Sequence, residues 1–233
     1  MVSLSARLFR FLLISLLLIG FNSAQAEISA TPAKASFSEK GSLAKTSQQD
    51  QQKKLLVIGD SISAGYGIDQ QKGWVVLLEK RIKSASLNWK VINASVSGDT
   101  TSGGLTRLSK ALQRVKPDLL LIELGGNDGL RGTPTKLIKE NLRQMIRQAQ
   151  DRNVDVAILE MRIPPNYGRK YTEAFHNLYQ KLANEEKISY IPFFLEQIAL
   201  KPELMQADRI HPTEQAQPLM AESVFETIKP QLK

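Results

Sequence analysis

Short apolar runs alternate with longer segments of helical periodicity from residue 55 to the end of the chain. Buried strands are typically four to eight residues long, and runs of about this length occupy 55–59, 91–94, 119–124, 154–159 and 188–193. Between them, apolar side chains recur every three or four positions, which is typical of helices packed by one face. This spacing predicts helices over 74–85, 104–115, 135–150, 171–186 and 213–228.

The alternation of strands and helices indicates a fold class. Strands joined by helical crossovers run parallel, and helices then cover both faces of their sheet. We therefore predict a doubly wound (flavodoxin-like) three-layer α/β/α domain with a central five-stranded parallel sheet. Ligands of such sheets bind outside the carboxyl ends of the strands, near a topological switch point. We expect the functional residues directly after strands.

The first residues have a different pattern, which is typical of a secretory leader. Arg7 and Arg10 precede the apolar stretch 11–21, and the small residues around Gln25 resemble a cleavage site. The stretch is too short to cross about 30 Å of hydrocarbon as a stable helix. We expect a signal peptide over 1–26, cleaved near Ala26, and hence an exported, periplasmic protein. An uncleaved membrane anchor is the alternative.

Composition supports one folded domain behind this leader. The chain has 233 residues, 42% of them hydrophobic, which is enough for one sizeable core. Residues 27–54 are rich in Ser, Ala, Lys and Gln and predict a flexible low-complexity tether, so we place the domain at 55–233. There are no cysteines, and the formal charge of +8 becomes +6 without Arg7 and Arg10. The basic residues are scattered, so we predict no nucleic-acid partner.

Three loops that follow predicted strands carry the groups needed for acyl transfer. Ser61 follows the first strand, Gly98 follows the second, and Asn127 follows the third. Ser61 supplies a hydroxyl, Gly98 a backbone N–H that a substrate can approach, and Asn127 a side-chain amide donor. With the N–H of Ser61, these donors are suited to form an oxyanion hole.

A serine nucleophile needs a base, and the chain contains two histidines. His176 lies within a predicted helix, where we expect a structural or surface role. His211 precedes Pro212 and follows Asp208 by three residues, so it should project from a loop at a helix entrance. Asp208 can then orient the imidazole toward Ser61. Taken alone, the Asp-x-x-His pattern is equally explained by helix capping.

The order of these motifs resembles that of the SGNH hydrolases, the GDSL-type lipases and esterases. The resemblance covers residues 55–230 and includes the segments GDSISAGYG, VINASVSGDTTSGGL, LLIELGGNDGLRG, MRIPPNYGRKYTEAF and DRIHPTEQAQPLMAE. It implies that Ser61 is the nucleophile, His211 the base and Asp208 its orienting partner. It further implies an oxyanion hole of Ser61, Gly98 and Asn127. Arg209 departs from the pattern, because close relatives often have glycine there.

Two hypotheses from other classes compete with this interpretation. Asp60, Asp99 and Asp128 follow strands and could hold Mg²⁺ for phosphoester hydrolysis, although aspartates also stiffen turns. A non-catalytic exported domain could bind a ligand in the same crevice, but it would not need Ser61 and His211 together. We expect neither a metal nor a cofactor.

The substrate can be predicted only by class. The resemblance implies acyl thioesters, lysophospholipids and small aryl esters, with a carbohydrate-type acetylesterase as the alternative. Pro164, Pro165 and Tyr167 follow the fourth strand and are predicted to wall the acyl groove, or to form a plain surface loop. The basic face of the helix over 135–150 could attract anionic lipid or simply face solvent. We expect a monomer with at most peripheral membrane contact.

Overall fold

The computed structural model describes residues 52–233. The predicted leader and most of the predicted tether, up to residue 51, lie outside this part. The five strands are β1 (Lys53–Gly59), β2 (Trp89–Asn93), β3 (Leu119–Glu123), β4 (Asp155–Leu159) and β5 (Ser189–Ile191). The α-helices are α1 (Ser61–Ala64), α2 (Trp74–Ser84), α3 (Thr101–Val115), α4 (Gly126–Leu130), α5 (Thr135–Gln150), α6 (Arg169–Glu186) and α7 (Gln217–Ile228).

The strands form one parallel sheet in the order β2-β1-β3-β4-β5. In β1, Leu55 pairs with Val91 on one side and with Leu119 on the other. The chain moves from β1 to one neighbour and then returns to the other, so the switch point lies between the carboxyl ends of β1 and β3. The predicted three-layer α/β/α fold is confirmed.

Helices bury both faces of this sheet. All four consecutive residues 55–58 of β1 are fully buried, which requires a cover on each side because successive side chains point to opposite faces. Helix α2 packs against α7, while α5 packs against both α3 and α6. Helix α5 contributes a stripe of apolar side chains at helical spacing, Ile138, Leu142, Met145, Ile146 and Ala149. Each large side chain buried in this way stabilises the fold by about 1.5–3 kcal/mol.

The main differences from the predicted boundaries have local causes. Strand β1 includes Lys53 and Lys54, so it starts two residues before the apolar run predicted at 55–59. Helix α3 starts at Thr101 and not at 104, because the Thr100 hydroxyl accepts a hydrogen bond from the N–H of Gly103. Strand β5 ends before Pro192, which has no N–H to donate to the sheet. The short helices α1 and α4 were not predicted, since one turn carries no periodicity.

Candidate active site

Ser61 stands at the carboxyl end of β1, as the first residue of α1. Asp60 caps this turn, and its Oδ1 accepts a hydrogen bond of 3.0 Å from the N–H of Ile62. The strand must approach its neighbour closely here. A Cβ atom on Gly59 would lie 2.5 Å from Oε2 of Glu123, so glycine is required at this position. The turn therefore holds the hydroxyl of Ser61 at the sheet edge, where the sequence predicted it.

His211 and Asp208 complete a Ser–His–Asp arrangement. The His211 Nε2 atom lies 2.8 Å from Ser61 Oγ, and its Nδ1 atom lies 2.6 Å from Asp208 Oδ2. An ionised Asp208 can only accept, so Nδ1 carries the hydrogen and Nε2 is left to accept from the serine hydroxyl. The ring of Tyr66 packs against the imidazole at a centroid distance of 4.6 Å. This geometry is that of a nucleophile, a base and an orienting carboxylate.

Asp208 is kept ionised by its hydrogen bonds. Partial burial alone raises the pKa of Asp208, but donors outweigh it and lower the pKa to about 2. These donors are the His211 ring and the backbone N–H groups of His211 and Ile210, which both bond to Asp208 Oδ1. The carboxylate therefore has a fixed charge throughout the neutral range.

The predicted oxyanion donors line the same cavity as Ser61 and His211. Gly98 has a φ of +78°, a left-handed conformation that favours glycine, and a Cβ atom placed there would meet nothing within 4 Å. The Asn127 amide nitrogen donates to the carbonyl of Asp99 (2.9 Å) and to Oδ2 of Asp60 (3.1 Å). An oxyanion that binds here must accept a hydrogen bond from an Asn127 amide hydrogen that already has one of these two acceptors. Apo structures often have such incomplete hydrogen bonds.

Glu123 is a buried carboxyl group that our sequence interpretation missed. It ends β3, has no exposed surface, and accepts hydrogen bonds from the Asp60 N–H (3.1 Å) and the Ser63 hydroxyl (2.6 Å). Burial, followed by repulsion from Asp60, raises the pKa of Glu123 well above its usual value. Burial likewise raises the pKa of Asp60 to about 6. The signal was a glutamate inside the apolar run LLLIEL.

The three aspartates considered as metal ligands each bind protein donors. Asp60 accepts from Ile62 and Asn127, as described above. Asp99 forms an ion pair of 2.7 Å with Arg107. Asp128 accepts from the N–H (2.8 Å) and the hydroxyl (2.7 Å) of Thr101. In residues 52–233, no group of three carboxylate or histidine side chains is arranged to hold a metal ion. These aspartates stiffen the loops at the sheet edge.

The site opens into a largely apolar cavity of about 540 Å³. Pro164 and Pro165 line it, as predicted, but Tyr167 does not. The Tyr167 hydroxyl instead donates to the carbonyl of Leu130 at 2.9 Å and so links the proline segment to the end of α4. Ile163, which directly precedes these prolines in the same predicted segment, also lines the cavity. The sequence did not indicate the other apolar wall residues, Ile62, Tyr66, Leu130, Met161, Phe193, Leu195, Ala199, Met205 and Ile210.

Two further sequence predictions concern residues outside this cavity. His176 lies on α6 and contacts Glu160, away from Ser61. On the basic face of α5, Arg143 and Arg147 form ion pairs with Glu186, at 2.9 and 3.1 Å. Lys139 pairs with a neighbouring glutamate of α6 in the same way. Of the four basic residues on this face, Lys136, Lys139, Arg143 and Arg147, the last three are therefore paired with the two α6 carboxylates, Glu185 and Glu186.

The fold and the site define a serine hydrolase with a three-layer α/β architecture. A model of the GDSL-like lipase/acylhydrolase family matches residues 57–218. The chain therefore belongs to this family, as its motifs predicted, and it is a carboxylic ester hydrolase of the SGNH type.

Individual relatives agree with this assignment. The chain is 48% identical over 185 residues to esterase TesA of Pseudomonas aeruginosa, which covers 79% of this chain and 92% of that protein. It is 43% identical over 176 residues to thioesterase 1/protease 1/lysophospholipase L1 of Escherichia coli K12, covering 76% and 83%. A crystal structure of TesA matches with a TM-score of 0.75 at 48% identity, covering 78% of this chain and all of that one (100%).

Proposed function

We propose that this protein cleaves carboxylic esters and thioesters through an acyl-enzyme formed on Ser61. The observation that carries the proposal is the 2.8 Å contact between Ser61 Oγ and His211 Nε2 inside the apolar cavity. A hydroxyl within reach of an oriented imidazole is the arrangement required for nucleophilic acyl transfer.

The reaction proceeds in two halves. Ser61 Oγ attacks the carbonyl carbon while His211 Nε2 takes the hydroxyl proton, giving a tetrahedral intermediate. The bond from carbon to the leaving oxygen or sulfur then breaks, and His211 gives its proton to that leaving group. Water enters, loses a proton to His211 and attacks the acyl-enzyme, and Ser61 recovers its proton when the acid departs.

The hydrogen-bond donors of the oxyanion hole stabilise the negative charge that develops on the carbonyl oxygen. The N–H groups of Ser61 and Gly98 and the amide of Asn127 bind the oxyanion in this proposal. Asp60 and Asp99 hold the Asn127 amide in place before substrate arrives, so little reorganisation accompanies the reaction. Asp208 stabilises the imidazolium that forms on His211.

The apolar lining of the cavity favours an acyl chain over a small acetyl group. Met161, Ile163 and Phe193 supply apolar wall, and Pro164 and Pro165 stiffen it. We infer substrates with medium or long acyl chains: acyl thioesters, lysophospholipids and aryl esters. Two relatives support this range, because one is named an esterase and the other a thioesterase 1/protease 1/lysophospholipase L1. A carbohydrate-type acetylesterase remains the second candidate, because the cavity is open to solvent at its mouth.

The leader motif supports export to the periplasm after cleavage near Ala26. Within residues 52–233, no helix has the length and apolar character to span a membrane. We propose a monomer that meets lipid surfaces peripherally, if at all.

Covalent labelling tests the nucleophile. A fluorophosphonate probe should label the wild-type protein and fail to label Ser61→Ala, with Ser95→Ala, a serine outside the cavity lining, as the matched control. A panel of p-nitrophenyl esters from acetate to palmitate then tests the acyl preference. Labelling of Ser61→Ala equal to wild type would overturn the mechanism. Hydrolysis of acetylated sugars far faster than chains of eight or more carbons would favour the acetylesterase.

A further inference from the structure

Arg209 has a backbone conformation that usually favours glycine. Its φ is +58°, in the left-handed region. The loop enforces this conformation, because the Arg209 N–H donates to the Gln206 carbonyl (2.9 Å) and the Gln206 N–H donates to the His211 carbonyl (2.8 Å). Glycine would adopt the same turn without steric cost. A long cationic side chain kept in such a position at an active site suggests a function.

The guanidinium of Arg209 has no acceptor among residues 52–233. It is exposed and forms neither a hydrogen bond nor an ion pair there. Arg162, the other arginine lining the cavity, is paired with Glu160 at 2.8 Å and with Glu196 at 2.9 Å. Of the two cations that line the cavity, Arg209 is therefore the one whose charge is left for a ligand.

Arg209 also lies in the same loop as His211, which protonates the leaving group in the proposed reaction. The two residues are two positions apart in the chain. Arg209 lines both the main cavity and an adjoining one of about 550 Å³, and Ala199 and Met205 are likewise shared by the two. A leaving group that passes His211 can extend beside Arg209 into the second cavity.

We propose that Arg209 binds a phosphate group carried by the leaving alcohol or thiol, and so selects substrates by their leaving group. The proposal rests on the ester and thioester hydrolysis proposed above. A guanidinium presents several N–H donors in a planar fork that matches phosphate oxygens. The phosphate can belong to a phosphorylated thiol, as in coenzyme A, or to the headgroup of a lysophospholipid.

Two matched substrate pairs separate these sources. Decanoyl-coenzyme A is compared with the decanoyl thioester of N-acetylcysteamine, which has the same acyl thioester and no phosphate. Lysophosphatidylglycerol is compared with a monoacylglycerol of the same chain. The protein variants are Arg209→Gly, which fits the turn, Arg209→Lys, which retains a charge, and Arg114→Gln. Arg114 is an exposed control on the last turn of α3, near the opposite edge of the sheet.

Arg209→Gly should lower kcat/KM for the phosphate-bearing member of at least one pair by about five- to tenfold. Its kcat/KM for the neutral members should stay within about twofold, and Arg209→Lys should recover part of the loss. Raising the salt concentration should weaken wild-type activity on the charged substrates and have little effect on Arg209→Gly. The pair that responds identifies the source of the phosphate.

Equal effects on charged and neutral members, or none on either, would overturn the role of Arg209. That result is distinct from failure of the proposed function, in which the wild-type protein hydrolyses none of the four substrates.

Discussion

The two halves of the active site use carboxyl groups in opposite ways. The floor, defined as Asp60, Glu123 and Asn127, contains two buried carboxyl groups, with Asp60 2% and Glu123 0% exposed. The rim, defined as Asp208, Arg209 and His211, is open, with 39% of the Asp208 side chain exposed. Burial dominates in the floor and raises both pKa values, whereas donors dominate at the rim and lower that of Asp208.

Around one serine, burial and hydrogen bonding therefore shift the pKa values of carboxyl groups in opposite directions. The floor needs a rigid network that fixes the oxyanion donor, and burial together with repulsion from Asp60 favours the protonated form of Glu123. The rim needs a permanent anion beside the imidazole. We therefore expect rim substitutions to reduce catalysis with little effect on stability, and floor substitutions to affect both.

The largest expected effect is at the rim. His211→Ala should lower kcat by about 10⁴-fold or more, because Ser61 loses its base. The melting temperature should change by about 2 °C or less, since the loop position contributes little to the core. Steady-state kinetics and thermal unfolding measure the two effects. Retention of more than about 1% of kcat would show that another group deprotonates Ser61.

A substitution in the floor should reduce both kcat and the free energy of unfolding. Asn127→Ala removes an oxyanion donor and should lower kcat by about 10²- to 10³-fold with little change in KM. It also leaves the buried Asp60 oxygen without its 3.1 Å donor, which should cost about 1–3 kcal/mol of unfolding free energy.

Asn184→Ala, at an exposed asparagine of α6, is the control for this substitution and should change neither quantity. A loss of activity without any loss of stability would remove the distinction between floor and rim.

The rim and the floor also differ in how far they could be predicted. Ser61, Gly98 and Asn127 follow strands of a parallel sheet, and Asp208 and His211 are close in the chain, so topology and local spacing bring them together. The role of Glu123 in the site could be recognised only from the residues that contact it in the folded protein. Its partners, Asp60 and Ser63, belong to the cap and the single turn of α1, which follow β1, and periodicity does not encode this contact.

The cavity wall was the least predictable part for a related reason. Phe193, Leu195 and Met205 lie in an irregular segment between β5 and α7, without a repeat that would reveal an inward face. Tyr167 was predicted to lie in the wall because its segment follows the fourth strand and is stiffened by two prolines. Its hydroxyl donates to the Leu130 carbonyl instead, and Tyr167 does not line the cavity.

A smaller effect tests the raised pKa of Glu123 in the floor. A carboxyl whose folded-state pKa is raised stabilises the protein fully below its unfolded value, about 4.3 for glutamate, and loses this contribution as pH rises toward the folded pKa. Wild-type stability should therefore decline with pH relative to Glu123→Gln from about pH 4.5 upward, by about 1.4 kcal/mol per pH unit at most.

Urea unfolding at pH 5, 6, 7 and 8 measures this difference, and Glu173→Gln, an exposed glutamate of α6, is the control. The glutamine should also preserve activity within about threefold at pH 7, because its amide oxygen can accept the hydrogen bonds that the Asp60 N–H and the Ser63 hydroxyl donate to Glu123. A constant difference between wild type and Glu123→Gln over this range would mean that Glu123 is ionised in the folded protein.

The smallest expected effect belongs to the rim carboxylate and has the opposite sign. Because its folded pKa is lowered to about 2, Asp208 stabilises the protein above its unfolded value and loses this contribution as pH falls from about 4 toward 2. The advantage of wild type over Asp208→Asn should therefore shrink between pH 6 and pH 3. Solvent exposure of the pair limits it to less than about 1 kcal/mol.

Urea unfolding at pH 6, 4 and 3 is the measurement, and Asp151→Asn, an exposed carboxylate after α5, is the control. An advantage that grew on acidification would mean that the folded-state pKa of Asp208 is raised, as that of Glu123 is. The opposite pH slopes of Glu123→Gln and Asp208→Asn thus distinguish burial from hydrogen bonding as the cause of each protonation state, within one site and by one method.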